Sequence, residues 1–264
     1  MVPCPPRRAA LHISLLRWVA GLLGGPCHPP AHGVCTPGSA TWGIVPRRPR
    51  QETAAAGGME RVTERDLAEA VRSTARRAGV TSAGRRFLFS IIEPLGGHDI
   101  ATYRHSLRVG VMAARLAMKT GYADPHLALF GGAWHDIGKL DVPVDVLHAE
   151  VFGPKERFVI ERHPVTGFFR LAKVNIGAAL VAGMHHGFQD NPYGIDPKRW
   201  GSADVVRAAR LVSACDFCDA ISNRTDARHN PEERFDPRPA LRRAFSGHPE
   251  WASWLAENRL GDVA

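Results

Sequence analysis

Cysteine is scarce in this sequence: five among 264 residues, an odd number without regular spacing. Cys4, Cys27 and Cys35 fall in the first 58 residues, and only Cys215 and Cys218 stand close together, in a helical context. That pattern excludes a disulfide framework and fits a reducing, cytoplasmic setting. Long apolar runs are missing too. Nothing approaches the roughly 18 apolar residues of a membrane-spanning helix, so no membrane partner is expected. Residues 11–23 follow Arg7-Arg8 in the outline of a secretory leader, but His12 stands near the start and Arg17 interrupts the run. Strand-like alternation bounded by hairpin turns is also lacking, which excludes a β architecture.

Basic charge is present but unevenly placed. The net charge is +8, yet residues 1–58 hold Arg7, Arg8, Arg17, Arg47, Arg48 and Arg50 against Glu52 alone. From Met59 onward, 28 Lys and Arg face 25 Asp and Glu. The basic balance therefore belongs largely to the first segment, and the body gives no reason to expect a nucleic-acid partner. Residues 1–58 are rich in Pro, Gly, Ala and Arg and have no hydrophobic period. They bury too little apolar surface to offset ordering entropy and are expected to form a disordered extension. Composition changes sharply at Gly57-Gly58-Met59, and a second reading of residues 1–58 is that Met59 is the true start and the preceding stretch a mis-assigned one.

The remainder reads as helices with recognisable caps. Thr63-Glu64-Arg65-Asp66 has the form of a capping box and predicts a helix over residues 60–78 before Gly79, able to dock on the body or pair with another chain. Asp99 can cap a helix holding His105, Leu107, Val111, Ala114 and Met118, stopped by Gly121. Asp124-Pro125 opens a helix that should run into His135-Asp136 and end by Gly138. Gly153-Pro154 precedes a helix that Pro164 must end or kink. Residues 174–184 read as another helix, Ser202 caps a long one through Ile221, and Asp236-Pro237 and Pro249 open two short ones. The expected organisation is an extension over 1–58, an N-terminal helix and linker over 59–84, an all-α helical-bundle domain over 85–245 and a C-terminal helix over 246–264.

Metal-competent side chains recur through these helices at intervals of 22 to 30 residues: His105, then His135-Asp136, His163, His185-His186 and Asp216. Each interval is about a helix and a loop, so each helix can aim one or two ligands at a common centre. A lone helical histidine is more often a hydrogen-bonded core residue; seven such residues, four of them in adjacent pairs, favour a metal site. Cys215-x-x-Cys218 has no second cysteine pair and encloses Asp216, so it reads as helix packing.

The wording around these residues resembles the HD superfamily of metal-dependent phosphohydrolases: His105-Ser106-Leu107-Arg108, His135-Asp136-Ile137-Gly138-Lys139, His163-Pro164-Val165-Thr166-Gly167, His185-His186 and Asp216-Phe217-Cys218-Asp219-Ala220. Within it the likeness is greatest to the HD-GYP branch. The resemblance implies that His105, His135, Asp136 and Asp216 bind one divalent ion. It also implies that His163, His185 and His186 serve a second, with Asp136 bridging. Ala101 replaces the glutamate some members use for a third ion, so two are expected. Residues 187–194, Gly-Phe-Gln-Asp-Asn-Pro-Tyr-Gly, keep only the gist of the Gly-Tyr-Pro signature.

Mixed imidazole and carboxylate ligation suits Fe, Mn or Zn. Two such ions activate a bridging water and clamp the oxygens of a phosphoryl group, so hydrolysis of a small phosphodiester or nucleotide is expected, with Asp136 and Lys139 as catalytic residues. Lys139 is placed to meet a phosphate oxygen. Arg108, Asp190 and Arg224 are further candidate substrate contacts; for Arg108 a pair with a carboxylate is equally open, for Asp190 a turn-forming role is equally open, and Asp219 is placed either to support the centre or to cap the helix. Cyclic-di-GMP is the first substrate expected. Cyclic-di-AMP or another nucleotide, or a catalytically silent nucleotide-binding role, are the alternatives.

Overall fold

A computed structural model describes residues 63–149, 153–223 and 236–260, all within one compact unit, Ala56–Ala264. Readings that fall on residues 1–62 and on Arg224 lie outside the described residues. Every regular element among the described residues is helical, as expected.

Helix α1, Glu64–Arg77, begins where the capping box predicts. The Asp66 amide donates to the Thr63 hydroxyl (3.2 Å), and the Thr63 amide donates to the Asp66 carboxylate (3.0 Å). Its buried face, Leu67, Val71, Thr74 and Ala75, recurs at helical spacing and packs on α3, Ile100–Thr120. Between them lies α2, Ser82–His98, which the sequence reading did not separate; the division drawn at residues 84 and 85 falls inside it. Thr81 caps it, and Leu88, Ile92 and Leu95 are its buried stripe. Asp99 then caps α3 by accepting from the Thr102 amide (3.0 Å), and Gly121, at φ +65°, ends it.

Helix α4, Pro125–Trp134, starts at the Asp124 cap but ends sooner than expected. After Trp134 the chain tightens into a 3-10 turn, Ile137–Asp141. Two short helices follow, α5 at Val144–Leu147 and α6 at Pro154–Ile160. Pro164 does not kink a helix: α6 stops at Ile160, and a new helix, α7 at His163–Leu171, starts with Pro164 in its first turn. That position has no intrahelical partner for an amide, so proline's missing N–H costs nothing there. Helices α8, Ile176–Met184, and α9, Pro197–Trp200, lead to the long α10, Ala203–Asn223. The short helices α11, Arg238–Ala244, and α12, Pro249–Asn258, follow, the second inserting Trp251 and Leu255 into the core.

Helices α3, α4, α8 and α10 surround one core containing Val109, Met112, Leu116, Val181, Met184, Leu211 and Val212, all fully buried. Each buried side chain of this size stabilises the fold by about 1.5–3 kcal/mol. The crossing of α3 and α4 is close because both helices present glycine there. A Cβ at Gly132 would stand 2.8 Å from the Gly110 Cα. Trp134 anchors the end of α4, its indole N–H donating to the Leu88 carbonyl (3.1 Å) and its ring set edge-on to Phe87 and Phe130. Cys215 and Cys218 are free and buried among apolar neighbours. Burial pushes the Cys218 thiol up to about 12, so these cysteines pack as thiols.

Candidate metal centre

Five elements deliver the seven residues singled out from the sequence. His105 comes from α3, His135 and Asp136 from the end of α4, His163 from the first position of α7, His185 and His186 from the end of α8, and Asp216 from the middle of α10. His105 Nε2 lies 3.1 Å from Asp216 Oδ1 and 3.7 Å from Asp136 Oδ2. His135 Nε2 is 3.4 Å from Asp136 Oδ2 and 3.8 Å from Asp216 Oδ1. On the other side, His163 Nε2 is 3.2 Å from Asp136 Oδ1 and 3.3 Å from His185 Nε2, and the His185 and His186 rings are 4.0 Å apart between centroids. Donors about 2.1 Å from a tetrahedral metal stand roughly 3.4 Å from one another. Three overlapping triads hold their ligand-type atoms within 4.8 Å of one another: His105, His135 and Asp136; His135, His185 and Asp216; and His163, His185 and His186.

The hydrogen bonds fix which atoms face inward. His135 Nδ1 donates to the Gly132 carbonyl (2.7 Å), His163 Nδ1 to Ile160 (2.6 Å) and His185 Nδ1 to Ala182 (2.6 Å). A carbonyl only accepts, so each neutral ring carries its proton on Nδ1 and turns the lone pair of Nε2 into the site. The device is the same three times: a carbonyl left open by the end of a helix, satisfied by the histidine three residues later. His105 differs, donating from Nδ1 to Asp219 Oδ2 (2.7 Å). Lone pairs thus meet lone pairs and carboxylate oxygens at 3.1–3.8 Å. His135 Nε2 and Asp136 Oδ1 are buried without a hydrogen-bond partner among the described residues. Such an assembly of acceptors is costly unless a cation sits among them, and the donor set fits a divalent ion.

The family comparison bears on the same stretch: the family described as HD domain matches residues 102–221, from the first turn of α3 to the last turn of α10. Residues 102–221 form an HD domain. A cyclic di-GMP phosphodiesterase of Thermotoga maritima is 27% identical over 150 residues, covering 52% of this chain and 40% of that protein. The chain therefore spans less than half the length of this curated relative.

Electrostatics within the HD domain keep the ligand atoms available. Burial alone would raise the Asp136 carboxyl, but His135, Lys139 and His163 outweigh it and hold the group well below the usual carboxylate range. Asp216 is held low in the same way by His105 and His135. Burial pushes His185 well down and His186 down to about 3, so both rings are neutral at ordinary pH. His135 moves the other way: burial opposes its charge, but the carboxylates of Asp136 and Asp216 prevail and raise it.

The remaining sequence candidates divide. Lys139 is buried in the 3-10 turn with Nζ 2.6 Å from Asp136 Oδ2, at the centre of the site. Arg108 is turned onto a carboxylate, its Nε 2.8 Å from Asp219 Oδ1 and its Nη2 3.0 Å from Oδ2. Asp190 is exposed in the loop after the histidine pair. Sequence reasoning passed over Gln189, whose side-chain amide meets His186 Nδ1 at 2.8 Å, and Tyr193, whose ring stacks on His186 at 4.3 Å. Both belong to the loop read as a departure from the family signature. Gly194, at φ +89°, lets the loop close back on α8, where the Ile195 amide donates to the Gly183 carbonyl (2.7 Å).

Proposed function

We propose that this chain is a metal-dependent phosphohydrolase of the HD-GYP type that cleaves a small phosphodiester, with cyclic-di-GMP the first candidate. The observation that carries this reading is the buried convergence of five imidazoles and two carboxylates, with the inward Nε2 atoms of His105, His135, His163 and His185 lacking hydrogens. His105, His135, Asp136 and Asp216 would hold one ion, and His163, His185 and His186, with Asp136 shared, would hold another. Bound divalent ions would supply an activated water and neutralise phosphate charge. Asp136 is suited to bridge because its two oxygens face opposite sides, Oδ2 toward His105 and His135 and Oδ1 toward His163. The Lys139 ammonium, already beside Asp136, is placed to take a non-bridging phosphate oxygen. Asp190 and Arg224 are proposed to meet the rest of the substrate. The name of the Thermotoga relative supports a cyclic dinucleotide in particular.

The test supplies purified protein with manganese or iron and measures metal content, then turnover of cyclic dinucleotides, linear dinucleotides and nucleoside phosphates beside Asp136→Ala. Wild type should carry close to two ions and hydrolyse a cyclic dinucleotide, and Asp136→Ala should do neither. Equal turnover by the two proteins sinks the mechanism. Turnover confined to nucleoside phosphates assigns another nucleotide, and metal without turnover of any substrate assigns a silent binding role.

A further inference from the structure

The five histidines are not held alike, and the differences sort by side of the centre. His135, His163 and His185 each rest on a backbone carbonyl, a fixed and neutral acceptor. His105 rests on the buried carboxylate of Asp219, which is itself clamped by the Arg108 guanidinium and by Asn223 Nδ2 (2.9 Å). Asp219 Oδ2 therefore cannot turn away from His105 without breaking the Arg108 pair. A carboxylate behind an imidazole makes its other nitrogen a stronger ligand and fixes its orientation.

His186 is the opposite case. The Gln189 amide nitrogen donates to His186 Nδ1 at 2.8 Å, so the neutral ring carries its proton on Nε2. A half-turn of the amide presents its oxygen to Nδ1, moves the ring proton there and frees Nε2 for a ligand role. The His163 side of the centre thus contains one histidine whose tautomer must change before it can ligate. It also has only one carboxylate, Asp136 through Oδ1, whereas the His105 side has both Asp136, through Oδ2, and Asp216.

From these contacts we infer that the two halves of the centre hold metal unequally, the His105 half tightly and the His163–His185–His186 half weakly, with Asp219 and Gln189 as the positioning residues that set the difference. The inference rests on the metal-centre reading above. It concerns affinity, not substrate.

The experiment titrates the metal-free full chain with manganese against a competing chelator and reads two binding steps. Wild type should show steps separated by at least about tenfold. Asp219→Asn should weaken the tighter step by about 10–100-fold, the usual effect of removing a partner behind a metal ligand, and leave the weaker step unchanged. Gln189→Glu, which presents only acceptor oxygens to Nδ1, should tighten the weaker step several-fold and spare the tighter one. If Asp219→Asn does not fold because Arg108 loses its partner, Asn223→Ala loosens the same carboxylate and should act in the same direction. Coincident steps in wild type, or variants that shift both steps alike or neither, overturn the inference while leaving the metal centre in place. Absence of any manganese binding by wild type overturns the metal-centre reading itself.

Discussion

At the scale of single residues, charge decides what each polar side chain near the centre does. Lys139 and Arg108 were both readable as phosphate contacts, because they lie four and three residues after His135 and His105. The structure separates them: Lys139 points at Asp136 inside the centre, and Arg108 is spent on Asp219. Lys139→Met is therefore expected to lower turnover by about 10²–10³-fold, the scale of losing a donor to transition-state charge, with metal content unchanged by elemental analysis. Arg108→Ala leaves the buried Asp219 charge uncompensated and should destabilise the fold by about 3–5 kcal/mol in urea unfolding. A raised KM with unchanged stability would instead make Arg108 a substrate contact. The sequence named all seven central residues. It could not pair Arg108 with Asp219, 111 positions away, because that choice depends on the facing of two helices.

At the scale of elements, helix ends do most of the positioning. Caps at Thr63, Asp99 and Asp124 were legible because a short polar side chain followed by an orphan amide is a local pattern. The start of α7 was not, since a proline just after His163 reads equally as a helix breaker or a helix opener. What seats His163 is the glycine of the opposite turn. A Cβ at Gly138 would stand 2.0 Å from the His163 carbonyl oxygen and 2.6 Å from the Gly167 nitrogen. Gly138→Ala should therefore push α7 outward and remove the metal bound through His163, His185 and His186, while far-UV circular dichroism stays near wild type. Retention of full metal content would show that the turn yields instead. Gly132→Ala should act on stability, costing about 1–3 kcal/mol as overpacking at the α3–α4 crossing, read as a lower thermal midpoint.

At the scale of the whole molecule, the centre ties stability to pH. His186 is pushed down to about 3 in the fold from an ordinary 6.5. Below pH 6.5 the unfolded chain takes up a proton that the folded chain refuses, so stability falls as pH drops from there toward about 3. Asp219 adds a second loss lower down. Burial would raise it, but Arg108 and His105 hold it at about 2 against an ordinary 3.8, and the stability it gives above 3.8 disappears as pH falls through about 2. The urea midpoint of metal-free protein should be lower at pH 5.0 than at pH 7.5, and His186→Phe should flatten part of that difference. A midpoint independent of pH over this range would contradict the burial of neutral histidine. The sequence by itself determined the helical class, most of the caps and which metal-competent residues recur from helix to helix, because periodicity, end signals and donor chemistry are local properties of the chain. Only the tertiary structure decided which nitrogen of each ring faces inward, that Asp219 and Gln189 stand behind two of the histidines, and that glycines 110, 132 and 138 let the carrying elements touch. Those features depend on where distant backbones meet, and no local pattern fixes that distance.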